Sequence, residues 1–346
     1  MMGSAMVTSL ALRGMERHYG RDGIDVVEVA KHYGLPETLW STLEQLIPLK
    51  TFVHLLESLG NLIQASDHTW QAGLHYDITQ LGDTGKLISN SKTLGEALLT
   101  LRDFFNLLQS DAHLSVHIAE QNTQVGYKIL NPNIWPRRRD AEFTLGLIQG
   151  IVQRFTNERH YPCSAILEDS SEASRRLSQS LHFPCRTGGD SNEFHFPTQL
   201  LNSRPPVQIL TENTTQSLRQ RLQQQLTEKH RATPLYDRVR CHILRKLGQS
   251  QIDQAHIAQE LGMSERTLRR KLADQGHSFQ EILDNCRMQS AALSLQHSQL
   301  TQAEIALKMG FSEQSAFIRA FNKWFGETPR EYQRRVQLSA CVKPAL

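Results

Sequence analysis

Two stretches near the C-terminal end decide the fold: "AHIAQELGMSERTLRRKLADQGHSFQE" (255–281) and "AEIALKMGFSEQSAFIRAFNKWFGETPRE" (303–331). They are two versions of one pattern, repeated after roughly fifty residues, and two copies are too few for a solenoid. Each opens with a short helical pattern, Ile257, Ala258 and Leu261 in the first and Ile305, Ala306 and Met309 in the second. The small alanines let a second helix cross closely. Gly262 and Gly310 then stand where a left-handed turn favours glycine. Met263 and Phe311 are apolar plugs after the turn, and Ser264 and Ser312 sit where the next helix wants an N-cap.

The parts in this order make a helix-turn-helix, twice. The second helix of each copy has two faces. Leu268 and Leu272, and Phe317, Phe321 and Phe325, point to a core. The first copy's open face carries Arg266, Thr267, Arg269, Arg270 and Lys271. The second copy's open face carries Gln314, Ser315, Ile318, Arg319, Asn322 and Lys323. Arginine grips guanine edges with paired hydrogen bonds, Gln and Asn do so for adenine, and Ser and Lys hold phosphates. A single charged helix face is commonly just solvated. Two copies sharing a turn glycine and a following serine point instead to reading of double-stranded DNA. The span between them, "SFQEILDNCRMQSAALSLQHSQ", is long enough for one helix, with Phe279, Leu283, Ala291 and Leu295 available for packing. It joins two reading heads on one bar, so one chain can address two successive major grooves about 34 Å apart.

Start signals in this region are explicit. Thr233-Pro234 offers an N-cap and a first-turn proline. Ser278…Glu281, Thr301…Glu304 and Thr328…Glu331 each match the capping box, in which the hydroxyl caps a backbone N–H and the Glu reaches back.

This arrangement strongly resembles the C-terminal DNA-binding domain of the AraC/XylS family of bacterial transcription regulators, over about 234–338. The resemblance is carried by Ile257-Ala258, Gly262-Met263-Ser264, Leu268, Arg270, Leu272, the run from Gly276 to Phe279, Ile305-Ala306, Gly310-Phe311, Phe317, Arg319, Phe321, and Gly326, Pro329 and Tyr332 of the closing G-x-x-P-x-x-Y. It implies promoter DNA and RNA polymerase as partners, and activation as the expected sign of regulation.

Upstream the signals mix. "DVVEVAKHYG", "ETLWSTLEQLI", "PLKTFVHLLESLGNLIQAS" and "KTLGEALLTLRDFFNLLQ" read as helices, the third with Phe52, Leu55, Leu56, Leu59 and Ile63 on one stripe. "HLSVHIAEQ" and "TQVGYKIL" alternate instead and predict a hairpin turning near Gln121-Asn122. "RDAEFTLGLIQGIVQRFTNE" returns to helix, followed by a strand at "CSAILED", a helix at "SEASRRLSQSL" and a strand at "SNEFHF". The fold class expected is therefore an α+β domain over 1–210 and an all-α domain over 233–338 with motifs at about 254–275 and 302–325, then a tail at 339–346. Between the domains, 211–232 reads as a polar helical linker with Leu218, Leu222 and Leu226 on one narrow stripe. It serves as a spacer, a homodimer contact, or a helix packed on its own domain. The stretches "QLIPLKTFVHLLESL", "GLHYDI" and "KTLGEALLTLRDFF" resemble the arabinose-binding-like N-terminal domain of some members of that family. The resemblance implies a small-molecule effector of unstated chemistry. The first domain has none of the His-rich alternating strands of a cupin-like sugar pocket. The alternative is a ligand-independent, architectural DNA-binding protein.

Composition agrees with this division. The net charge of +3 is unevenly placed, with the basic surplus beyond residue 233. No apolar run approaches a membrane span. The N-terminal segment, broken by Arg13 and Gly14, makes a poor signal peptide, so a cytoplasmic location is expected. Five scattered cysteines (163, 185, 241, 286 and 341) suit reduced thiols. His160, Cys163, His182, Cys185 and His195 invite a metal reading, yet prolines precede both cysteines and no spacing is standard, so no metal is expected. Trp40, Phe52, Leu56, Trp70, Phe104, Phe105, Tyr127 and Phe143 are candidates for core or for a pocket lining, and "WPRRRD" (135–140) reads as a solvated basic loop. No nucleophile elbow, phosphate loop, dinucleotide fingerprint or HExxH occurs, so neither catalysis nor a cofactor is expected.

Overall fold

The computed structural model describes residues 5–41, 44–206, 210–248, 252–298 and 300–342. The chain divides into two compact units, with the boundary between Ala232 and Thr233.

The first unit begins with strand β1 (Met6–Thr8), then helices α1 (Met15–Gly20), α2 (Val26–Lys31) and α3 (Thr38–Ser41), and strand β2 (Leu46–Pro48). β1 and β2 pair antiparallel, Val7 opposite Ile47. "ETLWSTLEQLI" therefore does not form one helix. Helix α3 is four residues long, and the chain turns extended before Pro48, whose ring disfavours helical backbone in the residue ahead of it. Helices α4 (Leu49–Asn61), α5 (His68–Leu74), α6 (Gly82–Ser89) and α7 (Leu94–Leu108) follow. The α4 stripe holds as read, with Phe52, Leu55, Leu56 and Leu59 buried; Ile63 packs on the same core from beyond the helix end.

Strands β3 (Ala112–Ile118) and β4 (Asn122–Ile129) form the expected hairpin. Its alternation outruns the core: Leu114 is buried, whereas Ile118 at the tip is exposed. Helix α8 (Arg138–Thr156) crosses the middle of the unit, followed by β5 (Ser164–Leu167), α9 (Glu172–Ser180), β6 (Cys185–Thr187) and β7 (Asn192–Pro197). The sheet order is β3-β4-β7-β5-β6, with β5 and β6 parallel and the other pairs antiparallel. Helix α8 lies almost backbone-to-backbone on α5. A Cβ on Gly146 would come within 2.2 Å of the Trp70 carbonyl oxygen, and one on Gly73 within 2.0 Å of the Phe143 oxygen. Only hydrogen fits at either position.

Helix α10 (Glu212–Ala232) closes this unit. Leu218 and Leu222 are buried against Leu87 of α6 and Phe104 of α7, and Arg219 pairs with Glu96 at 3.0 Å. Of the roles open to 211–232, packing on its own domain is the one seen.

The second unit is all helix: α11 (Leu235–Lys246), α12 (Gln254–Glu260), α13 (Glu265–Ala273), α14 (Phe279–His297), α15 (Gln302–Lys308), α16 (Gln314–Phe325) and α17 (Pro329–Val342). Pro234 takes the N-cap position of α11 rather than its first turn. All three capping boxes form; in the last, Thr328 and Glu331 exchange bonds of 2.8 and 3.3 Å. Ala291 and Leu295 of α14 join Ile305, Ala306, Met309, Phe317, Phe321 and Tyr332 in one core. Phe321 is its centre, stacked on Phe325 at 4.4 Å and edge-on to Tyr332 at 5.4 Å.

Residues 233–346 should unfold as one cooperative transition when expressed alone. Phe321→Ala should cost that fragment about 3–5 kcal/mol, read by urea denaturation.

Candidate nucleic-acid interface

Each motif is set by its turn. Helix α12 ends at Glu260, and Gly262 takes φ +70°. Met263 N–H then donates to the Ala258 carbonyl at 2.9 Å and Gly262 N–H to Gln259 at 3.0 Å. The second motif repeats this bond for bond. Gly310 has φ +79°, Phe311 N–H donates to Ala306 at 3.0 Å, and Gly310 N–H to Leu307 at 2.9 Å. This paired closure is the Schellman motif, which needs a left-handed residue at its corner.

The next helices start differently. Ser264 caps α13, accepting from Thr267 N–H at 3.2 Å. Ser312 does not cap α16; Glu313 holds that position and makes no side-chain cap bond. The serine stands one residue too early, because α16 begins at Gln314 and α13 at Glu265.

Under both helices the apolar face is buried, Leu268 and Leu272 in α13 and Phe317 and Phe321 in α16. Arg266, Arg269, Arg270 and Lys271 are exposed together on α13, and Gln314, Ser315, Arg319, Asn322 and Lys323 on α16. Two expected residues are less free. Thr267 is half-buried, with its hydroxyl 2.8 Å from that of Ser264. Ile318 is half-buried against the second core, since an apolar side chain at the edge of the stripe folds inward. Arg269 pairs with Glu265 at 2.8 Å, one turn back, an exposed pair of small energy.

Arg287 on α14 was not foreseen. Its Nε donates to the Met309 carbonyl at 2.8 Å, and its guanidinium carbon lies 4.9 Å from the centre of the Phe311 ring. It thereby caps the end of α15 and covers the turn plug, tying the second motif to α14. Partial burial pulls its pKa below the ordinary arginine value. Nothing in a lone mid-helix arginine signals this, because its partner is a backbone carbonyl on another helix.

In the first unit, Phe52, Phe105 and Phe143 line a cavity of about 40 Å³ together with Val7, Thr8, Ala11, Leu81, Leu108, Gln109, Asp140, Thr144 and Leu147. Trp40, Leu56, Trp70, Phe104 and Tyr127 belong to the surrounding packing instead. "WPRRRD" is not a solvated loop. Arg137 is buried and forks onto Glu168 at 2.9 and 2.7 Å, while Arg138 and Arg139 share the buried Glu142 at 2.6 and 2.9 Å. Glu168 lies 31 residues from Arg137, out of reach of local pattern, whereas Glu142 lies within one turn of Arg138 and Arg139 on the same helix. Cys163 and Cys185 are half-buried, which pushes both thiols up to about 11. His195 pairs with Glu193 at 2.9 Å. Among the described residues no group of three or more His, Cys, Asp and Glu is placed to hold a metal, and no helix is long and apolar enough to cross a membrane.

Residues 23–205 match the family profile described as the arabinose-binding domain of AraC transcription regulators, and residues 257–335 match a helix-turn-helix domain. The chain belongs to the AraC family of transcription regulators. Relatives along its length include the helix-turn-helix regulator VirS of Mycobacterium tuberculosis, 24% identical over 90% of this chain and 91% of its own. VqsM of Pseudomonas aeruginosa is also 24% identical, over 80% and 88%. Uncharacterized regulators from Mycobacterium bovis and M. tuberculosis reach 42% identity over 79 residues, and those matches span only 23% of either protein's length. The chain thus carries an arabinose-binding-type domain followed by a helix-turn-helix domain, the two domain types of that family.

Arg287→Met keeps the stem but removes the donors and the cation over Phe311. It should destabilise the 233–346 fragment by about 1–3 kcal/mol, followed by the fluorescence of Trp324 in urea.

Proposed function

We propose that α13 and α16 are the reading helices and enter two successive major grooves of double-stranded promoter DNA. The observation that carries this is the duplication itself: the same turn, closed by the same two backbone bonds, with a polar face above a buried one. Helix α14, at 1.5 Å per residue, is about 28 Å long and separates the two motifs. That is near the rise of one DNA turn, about 34 Å.

On this reading Arg266, Arg269, Arg270 and Lys271, with Thr267 beside them, contact the first half-site. Gln314, Ser315, Ile318, Arg319, Asn322 and Lys323 contact the second. Three guanidinium groups on one face give α13 the larger share of binding energy. Residues 233–338 are the DNA-binding module. The first unit senses a small-molecule effector, and bound effector shifts DNA affinity or dimerisation, with coupling of about 1–3 kcal/mol. The match of 23–205 to the arabinose-binding family supports this role, as does the presence of a cavity in that unit. Regulation is activation, through contact with RNA polymerase, and the working form is a homodimer.

Selection of full-length protein on randomised duplexes tests the assignment. Arg270→Ala should cost about 1–3 kcal/mol and relax the preference at one base of the first half-site. Arg319→Ala should cost less and relax one or two positions of the second. If both variants weaken all sequences alike and leave the selected motif unchanged, these residues hold phosphates and do not read bases.

A further inference from the structure

The cavity of the first unit has one carboxylate in a mostly apolar lining. Asp140 is fully buried there, and among the described residues no Lys or Arg forms an ion pair with it. Its Oδ2 accepts from the Tyr127 hydroxyl, which in turn accepts from Gln109 Nε2 at 2.7 Å. The charged groups that bear on it are Glu57 of α4 and Arg137 just before α8. The Arg137 guanidinium is committed to Glu168 and to the Ile129 carbonyl, 2.9 Å away. Burial raises the Asp140 carboxyl to about 7, against a bond from Tyr127 that lowers it. A buried carboxylate without its own cation is costly, and the missing positive charge is what would relieve it.

The rest of the lining sets the ligand's body. Phe52, Phe105, Phe143 and Leu147 are apolar walls, and no basic side chain lines the cavity. At about 10–15 Å³ per water-sized occupant, 40 Å³ admits three or four non-hydrogen atoms. A sugar would need more polar partners than Thr8, Gln109, Asp140 and Thr144 supply, and Thr8 already donates to Glu44 at 3.0 Å. A carboxylate would meet Asp140 with no cation to offset it.

We propose that this cavity is a site for a compact primary amine with a short apolar tail, its ammonium held by the Asp140 carboxylate and its tail among Phe52, Phe105 and Phe143. The proposal rests on the reading of the first unit as the sensing domain. A diamine is excluded, because its second charge falls among the phenylalanines. Binding requires ionised Asp140 and an amine that stays protonated, so affinity is full above pH about 7 and is lost as pH falls below it.

The test uses the full chain and calorimetric titration with ethylamine and n-propylamine, against n-propanol and acetate. The amines should bind at pH 8, more weakly at pH 6, and the alcohol and acid should not. Asp140→Asn keeps the shape and the Tyr127 bond, and should weaken amine binding by about tenfold or more. Ala11→Leu fills the cavity and should do the same, with the thermal transition of each variant showing that it is folded. Amine binding that is indifferent to both substitutions, equal binding of n-propanol, or no amine binding by the folded protein would overturn the site. A parallel measurement of promoter-DNA affinity separates the two claims. Amine binding abolished by Asp140→Asn but without effect on DNA affinity upholds the site and refutes ligand control. A DNA response to other metabolites with no amine binding refutes the site alone.

Discussion

The second unit depends on a backbone corner made twice. A helix that ends in a left-handed residue satisfies two of its last carbonyls and sends the chain off at a fixed angle. Gly262 and Gly310 supply that residue at positive φ, and the N–H of the apolar plug that follows each one makes the closing bond. The angle fixed there decides which side of the next helix is buried. With Leu268 and Leu272, or Phe317 and Phe321, turned inward, the arginines and amides of the same helices have nowhere to go but solvent. The open polar surface proposed to face DNA is thus a consequence of the turn and the apolar stripe together.

The two motifs are equivalent in backbone and unequal in side chains. The second has an aromatic core and an arginine from α14 fastened over its turn, and it lacks the serine cap that starts α13. Its open face is correspondingly less charged. On the proposed reading, the arginine-rich head supplies the larger share of the binding energy.

Legibility in the sequence tracked the distance over which each interaction acts. The motifs, the turn glycines and the three capping boxes were readable because their partners lie within six residues. The failures were mostly non-local or a matter of one residue, although Glu142 lies within one turn of Arg138 and Arg139. Ser312 resembles Ser264 but falls a position short of the helix start. The pairing of Leu46–Pro48 joins a strand some forty residues back, so "ETLWSTLEQLI" reads as helix until Met6–Thr8 is placed beside it. "WPRRRD" looks solvated until Glu168 arrives beside Arg137 from 31 residues on, and Asp140 of the same stretch is buried in the lining of a cavity. No local pattern marks a buried carboxylate, because the residues that exclude water from it come from β4, α4, α7 and the N-terminal strand.

The central claim is that one chain carries two groove-reading heads at a fixed separation. Binding of the full-length protein to a selected site, compared with the same site lengthened between its halves, tests it most directly. An insertion of about 5 bp puts the second half on the opposite face of the duplex. The account predicts that affinity falls to that of a single half-site and that protection of the distal half disappears. Equal affinity and full protection at both spacings would show that the heads are not held at a fixed distance, and would contradict it.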